Sequence, residues 1–394
     1  MAQQGEKGDK MKSVLMFVVG IVLSAHVAHA DANKDMLVEQ FAKTYAEIAF
    51  LNYRDAANTA GELEESLEAF LDNPTDNTLN KVKEAWLEAR IPYGQSEVLR
   101  FADGPIDGVN EQGDEGPEGR LNAWPLNEAY IDYVKDNPTS GIIADKTIPI
   151  TEESLISKNQ GDDEADVTTG YHAIEFLLWG QDFNDNGPGN RPVTDYTKGD
   201  EINERRRHYL HEVAEVLVKD LSSLVTAWDP KAKGYYAKFV AQDNNTVLAQ
   251  ALTSLATLSG FELASERIAT ALDSGDQEDE HSCFSDNTHV DFIMNAKGID
   301  NIYYGRYGDY QGVGLDKIAN SVDPDLAKQI NAQLATTRAL VEGIKPPVDQ
   351  ILAGPKDSPS RQQLEELVKS LQQQAELFKA LGKKLGLTIA VKSS

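Results

Sequence analysis

Residues 36–71, MLVEQFAKTYAEIAFLNYRDAANTAGELEESLEAFL, decide the fold class of this chain. Their apolar and aromatic residues recur at every third or fourth position for roughly ten turns, until Asn73 and Pro74 interrupt the pattern. This spacing places the side chains on one face of an α-helix. The stretch therefore predicts one long amphipathic helix.

The same spacing predicts helices along most of the chain. A second helix, 79–101, contains Pro92, which removes a ladder hydrogen bond and is expected to kink it. The other predicted helices are 168–180, 210–228, 247–272, 316–344 and 359–385, with short helical pieces around 124–134 and 151–156. Because alternating strand patterns are nearly absent, the sequence predicts an all-α protein.

Two loop-like stretches separate the predicted helices. Residues 102–120 are rich in Gly and acidic residues, and residues 181–200 are rich in Gly, Asn, Pro and Asp. Such compositions bury little and mark loops or domain boundaries. We place a boundary near residue 198. The sequence thereby predicts two helical-bundle domains packed side by side, 31–198 and 199–394.

The first thirty residues have the pattern of a secretory signal peptide. Three lysines precede the apolar run 14–23, and Ala28-His29-Ala30 supplies a small-x-small cleavage site. An apolar run of about ten residues is too short to anchor a protein in a bilayer. We therefore expect cleavage of residues 1–30, a mature chain that starts near Asp31 and has no transmembrane segment, and a location in the periplasm or cell envelope.

The net charge and the cysteine content exclude some partners and some kinds of metal site. With 37 Lys and Arg against 64 Asp and Glu, the chain of 394 residues carries a formal charge of −27. Such a charge repels phosphate backbones and attracts cations, so we expect no nucleic-acid partner. Cys283 is the only cysteine, which rules out an intrachain disulfide and a cysteine-rich zinc site.

The sharpest local motif is GYHAIEFLLW at 170–179. On a helix His172 and Glu175 share a face, so an imidazole nitrogen and a carboxylate can reach one point. Their neighbours are apolar, and a buried carboxylate needs a cation, a metal ion or hydrogen-bond donors. The pair indicates a metal site or, alternatively, a structural hydrogen bond inside the bundle.

A second candidate lies on the kinked helix. Trp86, Arg90, Tyr93 and Glu97 are spaced four, three and four residues apart and face one way. They indicate a buried polar patch or, alternatively, an ordinary intrahelical ion pair flanked by core aromatic residues.

A third candidate is EDEHSCFSDNTHVD at 278–291, which contains His281, Asp286 and His289. Its Ser-Asp-Asn-Thr run resembles a helix N-cap. The segment indicates either part of a site or a solvated loop that leads into a helix.

Two other helices carry ionisable clusters. Glu262 and Glu266, four residues apart, repel each other unless Arg267 or a cation intervenes. His208 and His211 lie off the apolar stripe of their helix, so we expect them at the surface.

Three blocks together resemble the imelysin family, and within it the branch of iron-regulated protein A. They are ARIPYGQSE at 89–97, GYHAIEFLLWG at 170–180 and EHSCFSDNTH at 280–289. The resemblance implies an exported all-helical protein with its G-x-H-x-x-E motif near the interface of two bundle-like domains. It leaves two functions open, since the family was named as metallopeptidases that cleave insulin, while many members are associated with iron uptake.

The resemblance also assigns site residues. It implies that His172 and Glu175 are the metal-binding pair, to which we add Glu97 as a candidate ligand. No catalytic residue is assigned. The further candidate site residues are Arg90, Glu262, Arg267, His281, Asp286 and His289.

We expect a protein that binds a metal ion, iron first and zinc second, as an accessory in iron uptake, with an envelope iron-transport protein as its partner. Iron follows from the resemblance alone, because imidazole and carboxylate ligands suit several metals. The alternative is a zinc metallopeptidase, which needs three protein ligands, a water and a base. A third hypothesis is a peptide- or haem-binding module with an aromatic groove around Trp86, Tyr93 and Trp179.

Overall fold

The computed structural model of the chain describes residues 7–110, 113–184 and 187–391, with side chains from Asn33 onward. The predicted signal peptide, residues 1–30, begins outside these ranges, and its side chains lie outside the described part of the chain. Cleavage and export therefore remain predictions.

Helices make up almost all of the regular structure, so the all-α prediction is confirmed. Among the described residues there is also one antiparallel hairpin of two short strands, β1 (Arg306–Tyr307) and β2 (Tyr310–Gln311). The helices are α1 (Lys7–Asp72), α2 (Asp76–Ser96), α3 (Glu118–Leu121), α4 (Glu128–Ile131), α5 (Gly141–Ala144), α6 (Glu152–Lys158), α7 (Gly170–Trp179), α8 (Glu201–Trp228), α9 (Tyr235–Val240), α10 (Asn244–Thr257), α11 (Thr270–Ser274), α12 (Thr288–Tyr304), α13 (Leu315–Val322), α14 (Pro324–Gly343), α15 (Val348–Ala353) and α16 (Pro359–Lys384).

The first layer of the fold is built on α1, which packs against α2 and α8. Its apolar stripe, including Phe41, Leu63 and Phe70, is buried as the spacing predicted. Each such side chain contributes about 1.5–3 kcal/mol on full burial. The helix ends at Asp72, directly before the predicted stop, and Thr75 caps α2 through a reciprocal capping box with Thr78.

The second layer centres on α10, which continues without a break through a π-helical segment, Leu258–Ala269, into α11. This continuous helix packs against α16, while α12 packs against both α2 and α14. The continuous helix, Asn244–Ser274, is also the one helix among the described residues with the length and apolar composition of a membrane span. In its most apolar stretch of 18 residues, 67% are buried inside the fold. Such burial is equally typical of a core helix.

Two helix predictions differ from the structure. The predicted helix 316–344 is divided into α13 and α14, because Asp323 caps the new helix and Pro324 occupies its first position, where proline is favoured. Periodicity alone did not predict α12, although the helix begins at Thr288, beside the predicted N-cap sequence. The boundary near residue 198 remains a prediction, and α8, which follows it, packs against α1.

Candidate functional site

The site is organised by α7, whose ten residues are all buried. The helix begins at Gly170, where φ is +86° and an added Cβ would lie 2.5 Å from the carbonyl oxygen of Leu121. Only glycine fits this conformation and this close backbone approach. Trp86 of α2 also fixes the first turn of α7, because its Nε1 donates a 2.9 Å hydrogen bond to the carbonyl oxygen of Tyr171.

His172 and Glu175 contact each other on the buried face of α7. The distance from His172 Nδ1 to Glu175 Oε2 is 2.8 Å, and the other carboxyl oxygen accepts hydrogen bonds from the Ser285 amide at 3.0 Å and hydroxyl at 2.6 Å. Burial raises the pKa of Glu175 to about 8 and lowers the pKa of His172 well below its usual value. His172 Nε2 has no hydrogen-bond partner among the described residues.

A second histidine lies against the first. The ring centroids of His281 and His172 are 4.8 Å apart, and both side chains are buried. His281 Nδ1 is 3.5 Å from Asp291 Oδ2, the same oxygen that accepts a 2.5 Å hydrogen bond from the Ser282 hydroxyl. Burial and the nearby charge of Arg267 lower the pKa of His281 to about 4.

Arg90 joins this cluster from α2. It donates to Asp291 Oδ1 from Nε at 3.2 Å and Nη2 at 3.0 Å, and to Asn122 Oδ1 from Nη1 at 2.5 Å. The predicted polar patch is confirmed, but Arg90 pairs with Asp291 of α12, and the intrahelical pair with Glu97 does not form.

The guanidinium of Arg90 lies over the rings of Trp86, Tyr93 and Tyr171. Trp86, Tyr93 and Trp179 are all buried, so they do not form the open aromatic groove of the third hypothesis.

Glu97 is engaged by arginines. Arg100 donates to its Oε2 at 2.8 Å and Arg267 donates to the same oxygen at 2.6 Å. Burial alone would raise the pKa of Glu97, but these two guanidinium groups lower it to about 2. Arg267 also donates to Glu262 at 2.8 Å, which is one of the two alternatives that the sequence left open. These two residues are five apart on the π-helical segment. π-Helical turns within α-helices are frequent at functional sites.

A cleft of about 320 Å³ opens onto this cluster. His281 and Asn122 lie at its lining, with the imidazole of His172 packed behind His281. The other lining residues are Arg100, Glu118, Ala123, Trp124, Pro125, Gln160, Glu164, Phe261, Glu262, Glu266 and Arg267. The cleft therefore reaches His281, whereas His172 contacts His281 but does not line the cleft.

The imelysin family model matches residues 49–378, most of the chain. The chain belongs to the imelysin family. It is also 25% identical over 320 residues to iron-regulated protein A of Synechococcus elongatus, covering 79% of this chain and 76% of that protein.

Two crystal structures share the imelysin fold. An iron-regulated protein A precursor from Parabacteroides distasonis aligns with a TM-score of 0.68 at 19% identity, over 88% of this chain and 95% of that one. An imelysin-like protein from Psychrobacter arcticum aligns with a TM-score of 0.62 at 18% identity, over 89% and 98%. At these identities the likeness concerns the fold alone.

The predicted ligand set of the imelysin motif is only partly assembled. His172 and Glu175 are in contact, whereas Glu97 is bonded to arginines and to Asn122. Among the described residues no group of three or more His, Cys, Asp or Glu side chains is arranged to hold a metal ion. What fits a metal is the unpaired, buried Nε2 of His172, because a ligating histidine typically has its other nitrogen bonded to a carboxylate.

The remaining predicted residues lie elsewhere. Asp286 and His289 flank the start of α12, where His289 Nδ1 is 3.2 Å from the carbonyl oxygen of Asp286, and neither lines the cleft. His208 and His211 are 52% and 35% exposed in their side chains, which confirms their surface positions.

Sequence reasoning missed four residues of the cluster: Asn122, Ser282, Ser285 and Asp291. The last three lie in or beside the segment 278–291 that was singled out for its histidines, and that signal could have included them. Asn122 follows a Gly-rich loop, and no local pattern marks it.

Proposed function

We propose that this imelysin-family chain binds a metal ion, iron in the first place, at the inner end of the cleft, as an accessory in iron uptake. The observation that carries the proposal is His172. Its Nδ1 is held by Glu175 at 2.8 Å, and its Nε2 is buried without a partner. A buried polar atom is normally paired, and this imidazole nitrogen is of a metal-ligating type and belongs to a ring that contacts His281, which lines the cleft.

Imidazole nitrogen suits iron, zinc and copper, so the ligand chemistry alone does not select the metal. The choice of iron is supported by the name of a relative, the iron-regulated protein A of Synechococcus elongatus. The formal charge of −27 favours cations near the surface.

The proposed setting is the periplasm or cell envelope, with an envelope iron-transport protein as partner. The support is the signal-peptide pattern of residues 1–30. N-terminal sequencing of the protein from its native cell should give a start near Asp31. A start at Met1 in the cytosolic fraction would contradict this setting.

Calorimetric titration with ferrous, ferric and zinc ions tests the proposal. We expect one binding event in the wild-type chain and an affinity at least tenfold lower in His172→Ala, a loss of about 1.4 kcal/mol or more. His208→Ala, which changes an exposed histidine, is the matched control and should bind as the wild type does. If His172→Ala lowers the melting temperature but leaves metal affinity unchanged, the pair is only a structural hydrogen bond.

Metal binding is favoured here over peptidase activity. A zinc peptidase needs three protein ligands, a water and a base, and the described residues hold no group of three ligands. We therefore expect no turnover of insulin B chain by purified protein. Chelator-sensitive cleavage that zinc restores and that His172→Ala abolishes would overturn this choice.

A further inference from the structure

The two buried histidines have similar neighbours but are held with different closeness. His172 Nδ1 is hydrogen-bonded at 2.8 Å to Glu175, whose second oxygen accepts from Ser285. His281 Nδ1 lies 3.5 Å from Asp291 Oδ2, which accepts from Ser282, and makes no hydrogen bond among the described residues. Both serines lie on one short segment between α11 and α12. Each imidazole therefore has a carboxyl group behind Nδ1 and a hydroxyl group that fixes this carboxyl group.

The hydrogen bonds of Asn122 define the state of His281. Because Asn122 Oδ1 accepts from Arg90 at 2.5 Å, its Nδ2 is the donor that lies 3.3 Å from His281 Nε2. His281 Nε2 is thus an acceptor, and the ring proton of a neutral imidazole lies on Nδ1, toward Asp291. Asn122 Nδ2 has an alternative acceptor in Glu97 Oε1 at 3.4 Å, so it can release His281 without losing every partner.

The carboxylates of the predicted ligand set are already occupied. Both oxygens of Glu175 are engaged, one by His172 and one by Ser285. Glu97 Oε2 accepts from two guanidinium groups. The nitrogen lone pairs available without breaking an ion pair are those of His172 Nε2 and His281 Nε2.

From these contacts we infer that His172 and His281 together supply the protein ligands, each through Nε2, and that Glu175 and Asp291 position the two rings. The inference rests on the proposed metal-binding function and deepens it. Two imidazole ligands select a borderline divalent ion, ferrous iron or zinc, over calcium, magnesium or ferric iron, which prefer oxygen ligands. Since His281 lines the cleft and His172 does not, the ion would enter past His281.

Electron paramagnetic resonance with Cu²⁺ as the probe tests this assignment, because ligand nitrogens split the copper signal. The full chain should show coupling to two imidazole nitrogens, whereas His281→Ala and His172→Ala should each show one. His208→Ala should keep both. Both site variants should also bind Cu²⁺ and Zn²⁺ at least tenfold more weakly.

The outcomes separate the two proposals. If the wild-type chain binds none of these ions, the proposed function and this inference both fail. If it binds them and His172→Ala loses affinity while His281→Ala keeps the wild-type affinity and spectrum, only this inference is overturned. Should His281→Ala fail to fold, His281→Gln retains most of the volume and takes its place.

A measurement on the metal-free chain is independent of binding. Nitrogen-15 NMR of the imidazoles should show His281 with its proton on Nδ1. A proton on Nε2 of His281 would contradict the ligand assignment.

Discussion

Two of the buried clusters of charged side chains in the described part of the chain contrast in the atoms that they leave unpaired. In the closed cluster, Asp132 accepts from Arg191 at 2.7 Å and from Arg206 at 2.6 and 3.0 Å, and both of its oxygens are used. In the histidine cluster, made of His172, Glu175, His281 and Asp291, two imidazole nitrogens, His172 Nε2 and His281 Nδ1, have no hydrogen-bond partner. The first cluster joins the loop after α4 to α8, whereas the second lies beside a cleft.

The comparison teaches which buried charges indicate function. A buried ion pair is weak evidence of net stabilisation, but removal of one partner leaves an uncompensated charge and is costly. The closed cluster also has one unpaired buried atom, Arg191 Nε, but a guanidinium group carries no lone pair for a metal ion. The unpaired Nε2 of His172 is an atom of a metal-ligating type, and this distinguishes the histidine cluster as the candidate site.

The largest expected effect belongs to the closed cluster. Asp132→Ala should lower the free energy of unfolding by about 3–5 kcal/mol, because two buried guanidinium groups lose their shared carboxylate. Metal affinity should stay within twofold of the wild type. Urea unfolding and calorimetry measure the two quantities. Loss of metal binding in a folded Asp132→Ala protein would show that the two clusters are coupled.

A milder change in the same cluster provides a control. Asp195, with a side chain 17% exposed, lies 3.3 Å from Arg191. Asp195→Asn should cost no more than about 1 kcal/mol, since the pair is partly solvated.

The second prediction concerns the histidine cluster. Glu175→Gln should weaken metal binding by about 10–100-fold, because an amide replaces the carboxyl group that orients His172. The free energy of unfolding should change by about 1 kcal/mol, since a glutamine oxygen still accepts from Ser285. Calorimetry beside urea unfolding measures both. A large stability loss with unchanged affinity would make Glu175 a structural residue.

The third prediction uses pH to separate the contribution of the Asp132 charge to stability from the contribution of its packing. Burial opposes ionisation of Asp132, but Arg191 and Arg206 lower its pKa below the usual value. A carboxylate with a depressed folded-state pKa stabilises the fold above its unfolded pKa, near 3.9, and loses that contribution as pH falls toward the folded value. The stability gap between wild type and Asp132→Asn should therefore shrink below about pH 4. A gap that stays constant down to pH 3 would mean that packing causes the cost.

The smallest expected effect is none at all. Cys283 is the only cysteine and is buried, so no intrachain disulfide contributes to stability. A reducing agent should leave the melting temperature unchanged. A drop of several degrees would show that Cys283 has a role outside both clusters.

Local patterns were sufficient for most of the helices and for the contact between His172 and Glu175. The stripe of α1 and the His172 to Glu175 spacing follow from a helical period that short windows reveal. Arg90 and Asp291, by contrast, are 201 residues apart in the chain, and only the tertiary fold pairs them. The π-helical segment 258–269 was also beyond prediction, because apolar spacing does not distinguish its hydrogen-bond ladder from that of an α-helix.

The predicted ligand set shows the same limit. The sequence indicated His172, which lies in the histidine cluster, but grouped it with Glu97. In the fold, Glu97 accepts hydrogen bonds from Arg100 and Arg267 instead. The candidate role of His281 depends on the position of Asn122, which no sequence pattern marks.

Elemental analysis of the protein purified from its native cell envelope tests the central claim most directly. The account predicts close to one equivalent of iron in the wild-type chain and a large loss of it in His172→Ala, with His208→Ala unchanged. A wild-type protein without stoichiometric metal, or with the same metal content after His172→Ala, would contradict the assignment of the histidine cluster as the metal site.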